Sequence, residues 1–71
     1  MDKVYFVQEY VFKVTQFSWE WATLTRYGGY EQFEDAEKTF RRLIDTSKSN
    51  RKYRIIVKDT YGNEEIVLEE V

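Results

Sequence analysis

The sequence predicts an α+β domain of the order ββαββ, in which one helix packs on one face of a four-stranded antiparallel sheet. Three observations lead to this architecture: an aromatic and β-branched run that turns back on itself, a change to helical periodicity after residue 32, and a turn motif between two further β-branched runs. With 71 residues the chain is expected to form a single domain, 1–71, and its 42% hydrophobic residues suffice for one small core.

The first hairpin is predicted from two runs that contain neither glycine nor proline. Their aromatic and β-branched side chains fit the surface of a strand, and in the first run the even-numbered positions form the more apolar side. Because side chains alternate along a strand, Trp19 and Trp21 share one side, either beneath the helix or on the uncovered face. The predicted boundaries are 4–15 for the first strand, 16–18 for the turn and 19–27 for the second strand, which ends at Gly28-Gly29.

The helix is predicted from an apolar stripe. Five apolar residues recur at offsets 0, 3, 7, 10 and 11, which places them on one side of an α-helix: Phe33, Ala36, Phe40, Leu43 and Ile44. Acidic residues precede basic ones along this segment, as the helix dipole favours. Residues 45–52 are polar and are predicted to form a loop.

The second hairpin is predicted around Asp59-Thr60-Tyr61-Gly62, which has aspartate and glycine at the first and fourth positions of a type I turn. Gly62 is expected in the left-handed conformation. A third strand is predicted over residues 53–58 and a fourth around residues 66–68, within 64–71. These patterns leave open the order of the strands and the face that the helix covers.

The composition argues against catalysis. The chain has no cysteine and no histidine, so it lacks disulfides, thiolate nucleophiles, the usual zinc ligands and the side chain that most readily transfers protons near neutral pH. Glu64-Glu65 and Glu69-Glu70 are pairs in sequence, but neighbouring residues of a strand point to opposite faces and do not converge. We expect no enzyme activity, no cofactor and no metal ion.

The expected location is the cytoplasm. The chain starts without a signal segment, and no apolar run approaches the roughly 20 residues of a membrane span, so no membrane partner is expected. A net charge of −2 neither favours nor excludes nucleic acid.

Thirteen of the 71 residues are aromatic, more than one helix can cover on a four-stranded sheet. One interpretation is that the rings fill the core of a small domain without disulfides. The other is that rings on the uncovered face bind a partner protein or a second copy, since tyrosine and tryptophan are enriched at interface hot spots. The residues predicted for such an interface are Tyr5, Tyr10, Trp19, Trp21, Tyr27, Tyr30 and Tyr61.

Charged residues form two groups. Six of the eleven basic residues lie between positions 41 and 54, where they either surround a solvated loop and helix end or contact phosphate groups. Acidic residues near the C-terminus either keep an edge strand soluble or offer carboxylates to a basic partner. The candidate anion contacts are Arg41, Arg42, Lys48, Arg51, Lys52 and Arg54, and the candidate acidic surface consists of Glu64, Glu65, Glu69 and Glu70.

The chain resembles short proteins of bacteriophages and prophages that have aromatic strands, a tryptophan before a Phe-x-x-Ala-Glu helix and a Tyr-Arg-Ile strand. The matching residues are Trp21, Phe33-Glu34-Asp35-Ala36-Glu37 and Tyr53-Arg54-Ile55, so the resemblance spans most of the chain. It is similar in style to phage proteins that inhibit host machinery, including anti-CRISPR and other anti-defence proteins. The resemblance implies an inhibitor in the host cytoplasm, and it transfers no functional residue because such inhibitors share no binding motif.

Three functions are therefore considered. The first is a non-catalytic inhibitor that blocks a host protein by occupying its surface. The second is a small nucleic-acid-binding accessory protein that uses the basic segment 41–54. The third is a structural subunit, such as a homodimer, that self-associates through an aromatic face of the sheet.

Overall fold

The computed structural model describes residues 3–46 and 51–69. Within these residues, one four-stranded sheet is combined with one α-helix and a short 3-10 turn. The elements are β1 (Lys3–Lys13), β2 (Ser18–Thr23), the 3-10 turn (Thr25–Tyr27), α1 (Phe33–Thr46), β3 (Tyr53–Asp59) and β4 (Glu64–Glu69). All pairings are antiparallel, in the order β2-β1-β3-β4, so the predicted ββαββ α+β fold is confirmed.

Strand β1 lies between β2 and β3 and bonds to them alternately. Leu24 donates its backbone N–H to the carbonyl of Val7, and Tyr10 donates to the carbonyl of Lys52, each at 2.9 Å. Because hydrogen-bonded pairs alternate in an antiparallel ladder, odd residues of β1 bond toward β2 and even residues toward β3. The register with β3 ends at Glu9, whereas the register with β2 continues to Lys13.

The first turn comes earlier than predicted. Strand β1 ends at Lys13, and residues 14–17 form the turn, in which Gln16 donates its N–H to the Lys13 carbonyl at 3.2 Å. Phe17 has a φ of 55°, in the left-handed region. This reversal of the chain ends the run of extended residues that the β-branched composition predicted as far as residue 15.

Strand β2 ends at Thr23, whereas the sequence predicted it to continue to Tyr27. Leu24 is buried in the core, and the 3-10 turn begins directly after it, with Tyr27 donating its N–H to the Leu24 carbonyl at 3.1 Å. The chain then returns beside β1, where Tyr5 and Tyr30 exchange backbone hydrogen bonds of 2.7 and 2.8 Å. Tertiary burial of Leu24 therefore overrides the strand propensity of the residues that follow.

Gly29 allows this returning segment to lie close to β1. A Cβ atom at Gly29 would overlap the side chain of Val4 and lie 3.1 Å from the ring of Phe6. Gly28 instead permits the backbone to adopt a φ of 66°, a conformation that is sterically unfavourable for residues with a Cβ atom.

Helix α1 begins at Phe33, as the apolar stripe predicts, and includes Asp45 and Thr46, which were predicted as loop. The Thr46 hydroxyl donates to the Arg42 carbonyl at 2.8 Å, the bond to residue i−4 that serine and threonine side chains form within a helix. Of the remaining residues of the predicted loop, 47–50 lie outside the described residues, and 51–52 are exposed and have no regular secondary structure, as predicted.

The helix covers the odd-numbered side of β1. Ala36 and Phe40 of the helix form one buried cluster with Val7 and Ile55, which are register partners on β1 and β3. The even-numbered side of β1, which is the more apolar side by sequence, therefore faces away from the helix.

The second hairpin has the predicted turn. Gly62 has a φ of 87° and donates its N–H to the Asp59 carbonyl at 3.1 Å. Strand β4 then pairs with β3 through a register shift, because Ile55 is opposite Leu68 whereas Ile56 is opposite Ile66. This irregularity is a bulge that interrupts the ladder near the middle of β4.

Candidate functional site

The sheet face opposite α1, here called the open face, carries the even-numbered side chains of β1 and their cross-strand neighbours. Aromatic side chains occupy this face near the turn between β1 and β2. Next to them, the polar side chains of Thr23, Gln8 and Arg54 form a row across β2, β1 and β3. The rest of the face carries both apolar and charged side chains. The residues of the open face are Val4, Phe6, Gln8, Tyr10 and Phe12 from β1, Trp19, Trp21 and Thr23 from β2, Arg54, Ile56 and Lys58 from β3, and Glu64, Ile66 and Glu69 from β4.

Five rings at the β1–β2 end of the open face form a continuous group, here called the aromatic cluster: Tyr10, Phe12, Phe17, Trp19 and Trp21. Trp19 stacks on Tyr10 with ring centres 5.5 Å apart, and Trp21 tilts against Tyr10 at 5.0 Å. Phe12 makes edge contacts with both Trp19 and Phe17, each at 5.5 Å. Each ring therefore contacts at least one other.

The strand register assembles this cluster. Tyr10 lies opposite Trp21, and Phe12 lies opposite Trp19, across the β1–β2 ladder. The alternation set by the Val7–Leu24 hydrogen bond makes both of them non-hydrogen-bonded pairs, in which Cα atoms approach to about 4.5 Å. Such aromatic pairs stabilise a sheet by roughly 0.2–1 kcal/mol each.

The cluster is exposed despite these contacts. The exposed fractions are 40% for Phe12, 59% for Trp19 and 83% for Phe17. From the usual size of aromatic side chains, these three rings present roughly 400 Å² of apolar surface. That area is within the range of the largest patches on monomeric proteins, which often bind partners.

Phe17 is the least expected member of the cluster. Its left-handed backbone conformation costs a bulky residue roughly 1–2 kcal/mol, a cost that glycine avoids. Most of its ring is in solvent, and its ring contact within the described residues is the edge contact with Phe12. The fold thus gains little from phenylalanine here, which favours a role for the ring in contacts outside the chain.

A row of polar side chains supports the inner edge of the cluster. Arg54 donates from Nε to the Gln8 side-chain oxygen at 2.7 Å, and the Gln8 amide nitrogen donates to the Thr23 hydroxyl at 3.1 Å. The Arg54 guanidinium lies 4.3 Å from the centre of the Trp21 ring. Gln8 is buried, so its two bonds satisfy groups that would otherwise be costly to enclose.

The structure divides the predicted interface residues among three places. Tyr10, Trp19 and Trp21 belong to the aromatic cluster. Tyr5, Tyr27 and Tyr30 are on the helix side, where they pack against the core. Tyr61 is in the β3–β4 turn and is 88% exposed.

Sequence reasoning did not include Phe12 and Phe17 among the candidates. Alternation along β1 already places Phe12 beside Tyr10, so that signal was present in the sequence. Phe17 has no such signal, because its position depends on the geometry of the turn.

The predicted basic segment does not form one surface within the described residues. Arg41 forms a 3.0 Å ion pair with Glu37 on the exposed side of α1. Arg51 donates to the buried carboxylate of Glu9 at 3.1 Å on the helix side, whereas Arg54 lies on the open face. The other members are Arg42 and Lys52, which are exposed, and Lys48, which lies outside the described residues.

The acidic residues of β4 are also divided between faces. Glu64 lies opposite Lys58 and Glu69 opposite Arg54 on the open face, whereas Glu65 lies opposite Val57 on the helix side. Glu70 lies outside the described residues. Across residues 3–46 and 51–69, no group of three or more acidic side chains is arranged to hold a metal ion.

The β3–β4 turn contains a shifted carboxyl group. The backbone N–H of Asn63 donates to the Asp59 carboxylate at 2.9 Å, and this bond is the main reason that the pKa of Asp59 is below its ordinary value of 3.8. The Tyr61 N–H and the Asn63 side chain donate to the same carboxylate. These three bonds stabilise the turn.

Fold and site together define a small α+β domain with a solvent-facing aromatic surface on its sheet. No protein-family model, curated protein or solved structure matches this chain. Within the described part of the chain, no helix is long and apolar enough to cross a membrane. The geometry of the site is therefore the basis for the functional argument.

Proposed function

We propose that this chain is a non-catalytic binding protein that docks its aromatic cluster onto a partner protein. The observation that carries the proposal is the continuous exposure of Phe12, Phe17 and Trp19 on a sheet face that the helix leaves open. Contiguous exposed apolar surface of this size is a common mark of protein interaction sites.

The cluster is well suited to binding because it is assembled before any partner arrives. The rings contact one another and rest on paired strands, so few side-chain rotations remain to be lost on association. Trp and Tyr rings in such positions are frequent hot spots, where truncation costs 2 kcal/mol or more, as an order of magnitude.

The mode of action that we propose is inhibition by surface occupation. The resemblance to phage inhibitors of host machinery suggests a host protein, such as a CRISPR or other defence effector, as the target. A preformed apolar surface supports this mode, because it can cover a functional region of its target without chemistry of its own. The proposed place of action is the host cytoplasm.

Absence of catalysis is part of the proposal. Glu64 and Glu65, the adjacent carboxylates that a hydrolase could use, point to opposite faces of the sheet. A pair of carboxyl groups acting on one bond must face each other across about 5–10 Å. The described acidic residues of β4 therefore support a charged surface better than an acid–base site.

A nucleic-acid-binding function has one observation in its favour, which is the contact between Arg54 and Trp21 on the open face. However, Arg41 is paired with Glu37 and Arg51 with Glu9, so these cations are already engaged within the chain. The protein-binding function is better supported for this reason.

The test is an affinity capture from bacterial lysate with the parent chain, Trp19→Ala and Tyr61→Ala. Tyr61 is the matched control, because it is an exposed aromatic residue outside the cluster. We expect a stoichiometric protein that resists nuclease and high salt, is lost with Trp19→Ala and is retained with Tyr61→Ala. Equal loss with both variants would contradict the proposed surface.

Circular dichroism of each variant establishes that the helix and sheet persist. Retention that disappears on nuclease treatment, and falls steeply with salt, would instead support nucleic-acid binding. Variants Arg51→Glu and Arg54→Glu would then identify the basic segment as the contact.

A further inference from the structure

The two edges of the sheet differ in how they are protected. Strand β4 carries a bulge and the charged residues Glu64, Glu65 and Glu69, features that discourage pairing with another strand. Strand β2 has a regular register with β1, no proline and a single charged residue, Glu20. Within the described residues, no strand lies on the outer side of β2.

The free edge of β2 exposes a regular row of peptide groups. The Val7–Leu24 hydrogen bond sets the ladder so that Ala22 and Glu20 also bond toward β1. The intervening residues, Trp19, Trp21 and Thr23, therefore direct their backbone N–H and C=O groups outward. Their side chains lie on the open face, so an added strand would extend both the ladder and that face.

We propose that β2 pairs antiparallel with β2 of a second copy of this chain, which joins two four-stranded sheets into one eight-stranded sheet around a two-fold axis. The register that we infer places Trp21 opposite Trp21 of the second copy on that axis. Trp19 then lies opposite Thr23, and Glu20 lies opposite Ala22.

Charge and hydrogen bonding select this register. Outward-directed residues must face one another to bond, and pairings centred on Glu20, Trp21 or Ala22 are the ones that use at least two outward residues of β2 in each copy. Centring on Glu20 would place two carboxylates directly opposite each other, which destabilises a sheet. Centring on Trp21 avoids this pairing and uses the outward groups of all three residues, Trp19, Trp21 and Thr23, whereas centring on Ala22 uses two of them in each copy.

The area of the aromatic cluster gives a reason for a second copy, and not another strand, to occupy the edge of β2. A typical stable interface buries about 800 Å² on each partner, and one cluster offers roughly half of that as exposed rings. Pairing through β2 places two clusters side by side on the same face of the joined sheet. The dimer would thus present a binding surface of ordinary size.

This inference goes beyond the proposed function and rests on it only for the area argument, since the free edge of β2 and the register do not involve a partner. Monomers can bind a partner without pairing, and a dimer can form without any further partner. Sedimentation measures the dimer alone, and the affinity capture measures the partner, so failure of one idea is distinguishable from failure of the other.

The first test compares Thr23→Pro with Thr23→Ala by analytical ultracentrifugation over a concentration series. Proline removes an outward N–H that β1 does not use, whereas alanine keeps it and removes the hydroxyl. We expect the parent and Thr23→Ala to approach twice the monomer mass and Thr23→Pro to remain monomeric. A parent that is monomeric at every concentration, or a dimer that persists in a folded Thr23→Pro, would overturn the inference.

The second test does not depend on proline being tolerated. Because the chain has no cysteine, single substitutions report the register by oxidative cross-linking. Trp21→Cys would place two Cα atoms about 5.5 Å apart on the axis, within disulfide reach, whereas Thr23→Cys would place them roughly 13 Å apart. We expect cross-linked dimer from Trp21→Cys only; equal yields from both variants would reject the proposed pairing.

Discussion

The guanidinium of Arg54 lies 4.3 Å from the centre of the Trp21 ring while its Nε donates to Gln8 at 2.7 Å. This one side chain thereby connects β3, β1 and β2 across the open face. It covers part of the Trp21 ring and completes the hydrogen bonds of a buried amide. The contact joins the polar row to the aromatic cluster, so we expect it to stabilise both.

Arg54→Ala is expected to lower the free energy of unfolding by about 1–2 kcal/mol, because it removes the cation–π contact and a hydrogen bond to buried Gln8. The matched control is Lys58→Ala, which removes an exposed cation from the same strand and face and should change stability by less than about 0.5 kcal/mol. Urea denaturation followed by circular dichroism measures both. Equal effects would show that Arg54 has no special structural role.

Phe17→Asn is expected to separate stability from binding. Asparagine tolerates a left-handed backbone, so the relieved strain should offset the lost edge contact with Phe12 to within about 0.5 kcal/mol. Affinity for the captured partner should fall at least tenfold, or about 1.4 kcal/mol. Val14→Asn, at another exposed apolar position of the same turn, is the control. Unfolding by urea and titration of the purified partner give the two quantities, and unchanged affinity would remove Phe17 from the binding site.

Gly29→Ala is expected to destabilise the fold by about 1–3 kcal/mol, because the new methyl group would overlap Val4. In a Val4→Ala background the same substitution should cost less, since the smaller side chain leaves room. A double-mutant cycle of unfolding free energies isolates this coupling. Additive effects would mean that Gly29 and Val4 are not in close contact.

The pH dependence of stability should contain a component from Asp59. Its folded pKa lies below the ordinary value of 3.8, so the stabilisation is fully present above that value and is lost as the pH falls through the folded pKa. Asp59→Asn keeps an oxygen that accepts the bonds from Tyr61 and Asn63 but does not titrate there. The stability advantage of the parent over this variant should therefore shrink in acid. Urea unfolding across a pH series measures it, and a constant difference would contradict this role for Asp59.

Local sequence patterns were sufficient to predict the order of the strands and helix along the chain and the fold class, although not the ends of β1, β2 and α1. The stripe containing Ala36 and Phe40 has the helical period, and aspartate and glycine at positions 59 and 62 suit their turn. Alternation along a strand also places Trp19 and Trp21 on one face, as the structure has them. These features are determined by neighbouring residues, which is why the sequence alone reveals them.

The location of the candidate site depends on contacts between distant parts of the chain. Both sides of β1 are apolar enough to be core, and only packing of α1 over Val7 and Ile55 leaves Phe12 exposed and Tyr10 half-buried on the open face. Arg51 and Arg54 are likewise close in sequence, but their side chains lie on opposite faces of the sheet. Arg51 pairs with Glu9 on the helix side, and Arg54 contacts Trp21 on the open face. The four strands, the helix and the turn between the last two strands are predictable from sequence because their signals come from neighbouring residues. The strand order, the uncovered face and the free edge of β2 depend on contacts between residues far apart in the chain, and only the folded structure supplies those contacts.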